Sequence, residues 1–527
     1  TANISRCARR RMSTTSRRPG LAKGQLIFSA DFESGNLARA VQTAPAEWEL
    51  QIRSDTHNPR HRLWFHFRVS NCLASQKVLL SVMNFSKARS LYREGMTPVV
   101  RSRRRPRWQR IPSDQVFYYR SPAHSRQYVL SWAWEFDREG DEVYFAYCFP
   151  FTYTDLQRRL HTLDLRGAPW LRRETLCRTA WGRRLDLLTL TAGAGRPGRE
   201  HSNKKWVFIT SRIHPGETPA QFVVQGLIDF LMSGDSRACV LRENIVFKII
   251  PMLNPDGVAL GNYRCNYLGY DLNRQWAHPQ PDLQPEIVAT KELVLGLHRC
   301  PDVDLDVFID IHAHSVATNG FMYCNSPASP TGNNGGGGRV SDQGRLPRLY
   351  DALSEDFSWA KSRFDADPSK EGTGRRELGA LLAPGVFCYT LETSFFAAAR
   401  PPPLPGGPEE QPSGDSTGAA GAGGEGVGGE PSGSGGARVV PFTQAGYEAL
   451  GRNLALTFIP YYGLEDQVAS AIASQRKSSG AKGRQRSSDP GAATASGRRP
   501  PTEPYRSLEI LRPPASRNNG GKAAGGF

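Results

Sequence analysis

The sequence of 527 residues has no apolar run that approaches the roughly 20 residues a membrane-spanning helix requires. No signal-type apolar stretch follows its first residues. Membrane spanning and secretion by a classical leader are both set aside. Its nine cysteines (Cys7, Cys72, Cys148, Cys177, Cys239, Cys265, Cys300, Cys324 and Cys388) are odd in number and scattered, with no C-x-x-C pair, which argues against a disulfide framework and for a reducing compartment. No G-x-x-x-x-G-K-[ST] occurs, so a phosphate-cradling P-loop is excluded. Acidic residues are missing before Asp31, and the Arg- and Ser-rich opening has some of the composition of a transit peptide. The reading adopted for it is a basic leader without structure, with Met12 a candidate start.

Positive charge, by contrast, is abundant. The formal net charge is +17, with a pI near 9.6, a field that favours an acidic polypeptide, nucleic acid or anionic lipid as partner. A hydrophobic fraction of 39% with 10% aromatics suits a globular core, whereas 52 glycines and 38 prolines indicate that part of the chain packs no core. These compositions divide the chain into a disordered basic leader at 1–24, an antiparallel β-sandwich at 25–152, an α/β domain with a mixed sheet at 153–463 and a disordered basic tail at 464–527. The sandwich is read from short aromatic or alternating runs such as "LWFHFRVSN" and "YVLSWAWEFD", spaced by polar turns. The second domain is read from nearly continuous apolar strands, "WVFIT", "IVFKIIPM", "DVFIDIH" and "VFCYTLE", alternating with helical patterns. Glycine-rich inserts near 326–345 and 400–438 interrupt it. After the first of these strands a helix is expected with Thr218 as its cap and Pro219 in its first turn.

Each of these apolar strands ends on a polar group useful to a hydrolase. His214 and Glu217 stand in "SRIHPGETPA", "NPDG" leads to Arg264 and "DLNR", His312 and His314 stand in "DIHAHS", and Glu392 closes "YTLE". Successive strand ends of an α/β sheet line one crevice, so residues this far apart in sequence can meet there. An H-x-x-E pair alone is weak, but catalytic zinc needs three protein ligands and an open position, and a further histidine completes two imidazoles and a carboxylate. His312 is favoured over His314 because it directly follows "VFIDI". Asp310 either orients an imidazole or caps the turn. Asn254 with Pro255, Asp256 and Gly257 reads as a turn, and Glu392 at the end of an apolar run needs a partner or a task.

"SRIHPGETPAQFVVQGLIDFL", "IPMLNPDGVALGNYRC", "GYDLNRQW", "FIDIHAHS", "GTGRRELG" and "CYTLETSF" resemble the signature segments of the cytosolic carboxypeptidases, a branch of the zinc carboxypeptidase clan. The likeness runs from about Leu26 to Tyr462 and includes "DFESGNL", "NFSKARSLYREGM" and "FAYCFPFTYT" in the front domain. It implies one zinc ion per subunit held by His214, Glu217 and His312, and Glu392 as the base. It also implies that Arg264 faces the scissile carbonyl, and that Asn273 and Arg274 hold the terminal carboxylate. The implied activity is removal of C-terminal glutamates from polyglutamylated proteins, tubulin above all, in the cytosol and in association with microtubule structures. Arg375 and Arg376 precede Glu392 at a distance that in the clan falls in the pocket for the departing side chain; Arg376 is placed first.

The chemistry is coherent on the residues themselves. A zinc ion polarises a carbonyl and acidifies water, Glu392 shuttles the proton, Arg264 faces developing negative charge, and the guanidinium of Arg274 grips a carboxylate in bidentate fashion. The competing reading is a catalytically inactive scaffold that binds acidic protein tails or microtubules through its basic surface. Nucleic-acid binding through "RSRRRPRWQR" at 101–110 is not expected, since no nucleic-acid module accompanies that run, and no membrane partner is expected.

Overall fold

The computed structural model describes residues 22–124, 126–194, 203–326, 342–365, 367–382, 385–401 and 437–484, with side chains to residue 476. It divides into two compact units, 1–473 and 474–527. The basic leader before residue 22, both glycine-rich inserts apart from their edges, and the chain beyond residue 484 lie outside the described residues.

Alternation of buried and exposed side chains builds the front domain. Its ten strands are β1 (Ile27–Ser29), β2 (Arg39–Ala44), β3 (Glu47–Gln51), β4 (His66–Ser70), β5 (Gln76–Val82), β6 (Val99–Ser102), β7 (Gln109–Arg110), β8 (Val116–Arg120), β9 (Tyr128–Phe136) and β10 (Val143–Ala146). They form two five-stranded sheets, ordered β1-β4-β10-β6-β7 and β2-β3-β5-β9-β8. Aromatic rings fill the space between the sheets. Phe28 of β1 lies 4.6 Å from Trp48 of β3, and Phe145 of β10 lies 5.7 Å from Trp132 of β9, centroid to centroid. The expected antiparallel pairing has one exception, because β3 runs parallel to β5.

Helix α1 (Tyr153–Leu165) follows, closed at its start by a reciprocal capping box between Thr152 and Asp155. The second domain then lays eight strands in one mixed sheet: β11 (Leu171–Arg178), β12 (Arg184–Leu190), β13 (Lys205–Ser211), β14 (Ile245–Ile250), β15 (Asp304–His314), β16 (Gly320–Cys324), β17 (Arg363–Phe364) and β18 (Phe387–Ser394), in the order β11-β12-β14-β13-β15-β18-β16-β17. The central four, β14, β13, β15 and β18, are mutually parallel, so their carboxyl ends open on one side. Covering helices are α2 (Thr218–Met232), α3 (Ser236–Asn244), α4 (Pro255–Leu260), α5 (Pro285–Arg299), α6 (Arg345–Leu353), α7 (Gly374–Leu381) and α8 (Gln444–Tyr462). A small antiparallel pair, β19 (Ala397–Arg400) and β20 (Arg438–Pro441), precedes α8.

Three local expectations are corrected. Thr218 is the first residue of α2 and not its cap; Glu217 holds the cap position and makes no side-chain cap bond, because its carboxylate is engaged elsewhere. "NPDG" is the start of α4 and not a plain turn, with Asn254 Oδ1 accepting from Gly257 N at 3.0 Å. The tail expected without structure from 464 begins with helix α9 (Glu465–Arg484). No helix among the described residues is long and apolar enough to cross a membrane.

Helix α2 is buried on nearly all sides, between the sheet and α8. The two helices meet backbone to backbone through glycines: a Cβ at Gly226 would overlap the carbonyl of Glu448, and one at Gly451 would overlap that of Val223. Because α2 grows out of the loop that holds His214 and Glu217, this close packing also fixes where that loop stands. Gly226→Ala and Gly451→Ala are each expected to cost about 2 kcal/mol or more in a denaturant melt. Gly234→Ala, with open space around it, should change stability by less than about 0.5 kcal/mol.

Glu286 in the first turn of α5 is buried, and its Oε2 has no hydrogen-bond partner among the described residues. Burial raises its pKa from 4.5 to about 8, with Asp256 adding to the rise. Between those values the folded protein keeps a proton that the unfolded chain releases, so stability falls as pH rises across the window. Glu286→Gln should therefore raise the melting temperature relative to wild type more at pH 8 than at pH 5.

Candidate active site

Register brings the site together before any side chain is considered. On the parallel strands β15 and β18, His312 pairs with Glu392. Residues paired across neighbouring strands share a face, so imidazole and carboxylate stand side by side over the carboxyl end of the sheet. From the adjacent strand β13 the chain runs three residues on to His214, whose carbonyl accepts the Glu217 amide at 3.2 Å. Arg212, in the left-handed region at φ 61°, turns the chain out of β13. Its buried guanidinium donates to Pro215 O at 2.7 Å and to Phe151 O at 3.3 Å, which pins the loop to the end of the front domain.

His214, Glu217 and His312 are buried and offer ligand atoms within 4.8 Å of one another. His214 Nδ1 lies 2.8 Å from Glu217 Oε1, His312 Nδ1 lies 3.0 Å from Glu217 Oε2, and the two Nδ1 atoms are 3.2 Å apart. Ligands at about 2.0–2.1 Å from a tetrahedral zinc ion sit roughly 3.3 Å from one another. The outer nitrogens are already committed: His214 Nε2 lies 3.1 Å from Asp271 Oδ1, and His312 Nε2 lies 2.6 Å from Asp310 Oδ2. With the Nε2 protons donated to those carboxylates, both Nδ1 atoms turn toward the Glu217 carboxylate, where a shared proton or a metal ion can bridge them. A buried set of that kind requires a cation, and the donor set suits zinc.

The charges agree. Burial pushes the Glu217 carboxyl up, but His214 and His312 outweigh it and hold it well below its usual value. Burial opposes charge on His312, yet Asp310 and Glu217 raise its pKa well above the ordinary imidazole value. Glu217 also stands at the amino end of α2, where the helix dipole favours an anion, and accepts from Ala313 N at 3.0 Å.

A cavity of about 460 Å³ opens beside the triad. Glu392 is on its wall, half-buried; burial raises its pKa to about 7, with His312 opposing and Glu217 adding to the rise. Six cations line the same cavity, Lys87, Arg89, Arg264, Arg274, Lys370 and Arg375, against the two carboxylates Glu217 and Glu392. Arg264 Nε donates to Asp271 Oδ2 at 2.6 Å. Asn273 is on the wall too, its Oδ1 accepting from Gly374 N at 3.1 Å, and Arg274 Nη1 donates to the Asn273 carbonyl at 2.7 Å. His314 also faces the cavity, its pKa lowered to about 4 by burial and by Lys87.

Of the two neighbouring arginines, the one placed first on sequence grounds is off the wall: Arg376 Nη1 donates to Asp367 O at 2.9 Å. Arg375 is the one on the cavity, buried and braced by Cys324 O at 2.9 Å and Asn325 Oδ1 at 2.6 Å. Asp271, Lys370 and Lys87 are among the participants that escaped sequence reasoning. Asp271 buttresses both His214 and Arg264; its signal was an aspartate three residues before Arg274, capping the short turn Leu272–Arg274. Lys370 stands over the Tyr323 ring at 5.4 Å and forms no ion pair among the described residues. Lys87 reaches in from the front domain, donating to Tyr263 Oη at 2.8 Å.

A zinc carboxypeptidase family profile matches residues 168–349, and a cytosolic carboxypeptidase N-terminal domain profile matches residues 28–148. Cytosolic carboxypeptidase 6 of Homo sapiens is 46% identical over 446 residues, covering 85% of this chain and 80% of that protein. Cytosolic carboxypeptidase 6 of Caenorhabditis elegans is 40% identical over 441 residues, 84% of this chain and 88% of that protein. Among solved structures, a metallo-carboxypeptidase from Burkholderia cenocepacia superposes with a TM-score of 0.62 at 22% identity, over 83% of this chain and all but 1% of its own, a likeness of fold.

Asp271→Asn keeps the shape but weakens the hold on His214 Nε2–H. Its expected effect is a 10- to 100-fold loss of zinc affinity (about that range for lost outer-shell partners), read by competition with a chelator, with the circular dichroism spectrum unchanged.

Proposed function

This chain belongs to the cytosolic carboxypeptidase family and is a zinc metallocarboxypeptidase, and from that premise we propose that it removes C-terminal glutamates from acidic protein tails, polyglutamylated tubulin among them. The observation that carries the substrate reading is the set of six cations around a zinc triad, where a chain end bearing several carboxylates would find a complement to each of them. The setting we propose is the cytosol, with the enzyme drawn to microtubule structures by that same charge.

When bound, the zinc ion supplies Lewis-acid polarisation of the scissile carbonyl and acidifies water. The protein's own residues do the rest. Glu392 accepts the proton of the attacking water and passes it to the leaving amine. Burial raises its pKa to about 7 before the charge of an ion is counted, and a bound cation would lower it from there, toward the carboxylate that accepts a proton. Arg264, steadied by Asp271 Oδ2, faces the carbonyl oxygen as negative charge develops there. Asn273 and Arg274 hold the terminal carboxylate, which restricts cleavage to the last peptide bond. Lys370, with Arg375 behind it, meets the carboxylate of the departing glutamate side chain; Arg376 takes no part.

The test is glutamate release from a peptide ending in several glutamates, with and without a chelator, compared with a peptide ending in alanine. Release is expected to need the metal and to fall by about 10²–10⁴-fold in Glu392→Gln. No release from folded, zinc-loaded protein with either peptide would move the assignment to a scaffold that only binds acidic tails. Lys370→Ala should raise KM for the glutamate peptide by about tenfold, the worth of one exposed-to-partly-buried charge contact, and leave zinc content as it was.

A further inference from the structure

The segment that carries Arg264 is held from outside its own domain. From the last turn of α4 to the turn at Leu272–Arg274 the chain makes a long excursion, and the front domain grips it along its length. Ser34 N donates to Ala259 O at 3.0 Å, Asn36 Nδ2 to Gly261 O at 3.0 Å, Thr56 N to Asn262 Oδ1 at 3.1 Å, and Asn58 Nδ2 to Gly269 O at 3.1 Å. At the centre of this grip is a charge. Asp55 is buried, and its carboxylate accepts three consecutive backbone amides: Tyr263 N at 2.6 Å on Oδ1, and Arg264 N at 2.7 Å and Cys265 N at 2.8 Å on Oδ2. Asp55 is itself fixed, its amide donating to His61 O at 2.9 Å and its carbonyl accepting from Asn58 N at 3.0 Å.

The contact continues inward. Tyr263 O accepts from Gly216 N at 2.8 Å, and Gly216 lies between the ligands His214 and Glu217. A Cβ at Gly216 would stand 2.7 Å from the Tyr263 ring and 3.0 Å from its backbone, so this approach requires glycine. One carboxylate of the front domain thus sets the peptide run that aims Arg264, and that run closes the zinc loop.

We infer that Asp55 is a positioning residue of the active site, acting through the 263–265 backbone on Arg264 and on the loop that holds the metal, so that the front domain is a working part of the catalytic centre. The inference rests on the role proposed above for Arg264. A purely structural anchor would move stability alone, whereas a positioning group moves turnover in a way that depends on Arg264.

The experiment uses the full chain. Asp55→Asn keeps volume but can offer only one acceptor oxygen to three amides, and either orientation of its amide sets a donor against a donor. Zinc-loaded Asp55→Asn is expected to lose about tenfold or more in kcat with KM within about threefold, the pattern of an interaction made in the transition state. Combined with Arg264→Ala, it should add less than twofold to the loss from Arg264→Ala alone. A kcat within twofold of wild type, or losses that multiply in the double variant, overturns the inference. If Asp55→Asn does not fold, Asp55→Glu keeps the carboxylate and displaces it by one methylene; a reduced kcat supports the inference and a wild-type kcat overturns it. Should the wild-type protein be inert toward glutamyl peptides, the proposed substrate fails by itself. Zinc release to a chromogenic chelator then decides the clamp: faster release from the variant supports it, and an unchanged rate overturns it.

Discussion

Two imidazole nitrogens and a carboxylate, buried and 2.8–3.2 Å apart, constrain everything else in this protein. Such a set is tolerable only around a cation, and it stays in place only if every group behind it is held. Much of the surrounding structure reads as that support. Asp271 and Asp310 occupy the outer nitrogens, the amino end of α2 and the Ala313 amide sustain the charge on Glu217, and Arg212 ties Pro215 to the front domain. The same need accounts for the missing cap bond of α2: the residue in the cap position cannot serve the helix and the metal with one carboxylate.

Charge is arranged in two shells of opposite sign. Close to the metal ligands stand carboxylates, which raise the affinity for a cation; along the cavity stand Lys87, Arg89, Arg274, Lys370 and Arg375, which raise the affinity for an anion. Arg264 joins the two, since Asp271 links its guanidinium to His214. An acidic chain end can therefore be drawn in without competing for the carboxylates that hold the ion. The general excess of basic residues, +17 over the sequence, makes this local arrangement part of a wider field that favours acidic partners.

Cooperation between the domains explains why the chain combines a sandwich with a sheet-and-helix domain. The front domain contributes Lys87 and Arg89 to the cavity and holds the 259–269 excursion through Ser34, Asn36, Asp55, Thr56 and Asn58. A loop with that many polar groups facing another domain depends on that domain to complete part of its hydrogen bonding.

Much of this was legible in the sequence, and for physical reasons. Near-continuous apolar runs mark strands buried on both faces, their polar terminal residues mark the open end of a parallel sheet, and a histidine and a glutamate three apart, weak as a signal alone, gain weight from the polar residues at the other strand ends, so the sheet and the strand-end positions of His214, Glu217, His312 and Glu392 were open to reading from one dimension. Tertiary structure alone decided the rest. Arg375 and Arg376 are equal as letters, and only the orientation of α7 puts one on the cavity and the other on Asp367. Lys370, Asp271 and Asp55 are polar residues in turns, a class whose usual place is solvent. What gives them work is the approach of chain segments up to 210 residues away, from Asp55 to Cys265, and a contact of that range is not written in any local pattern.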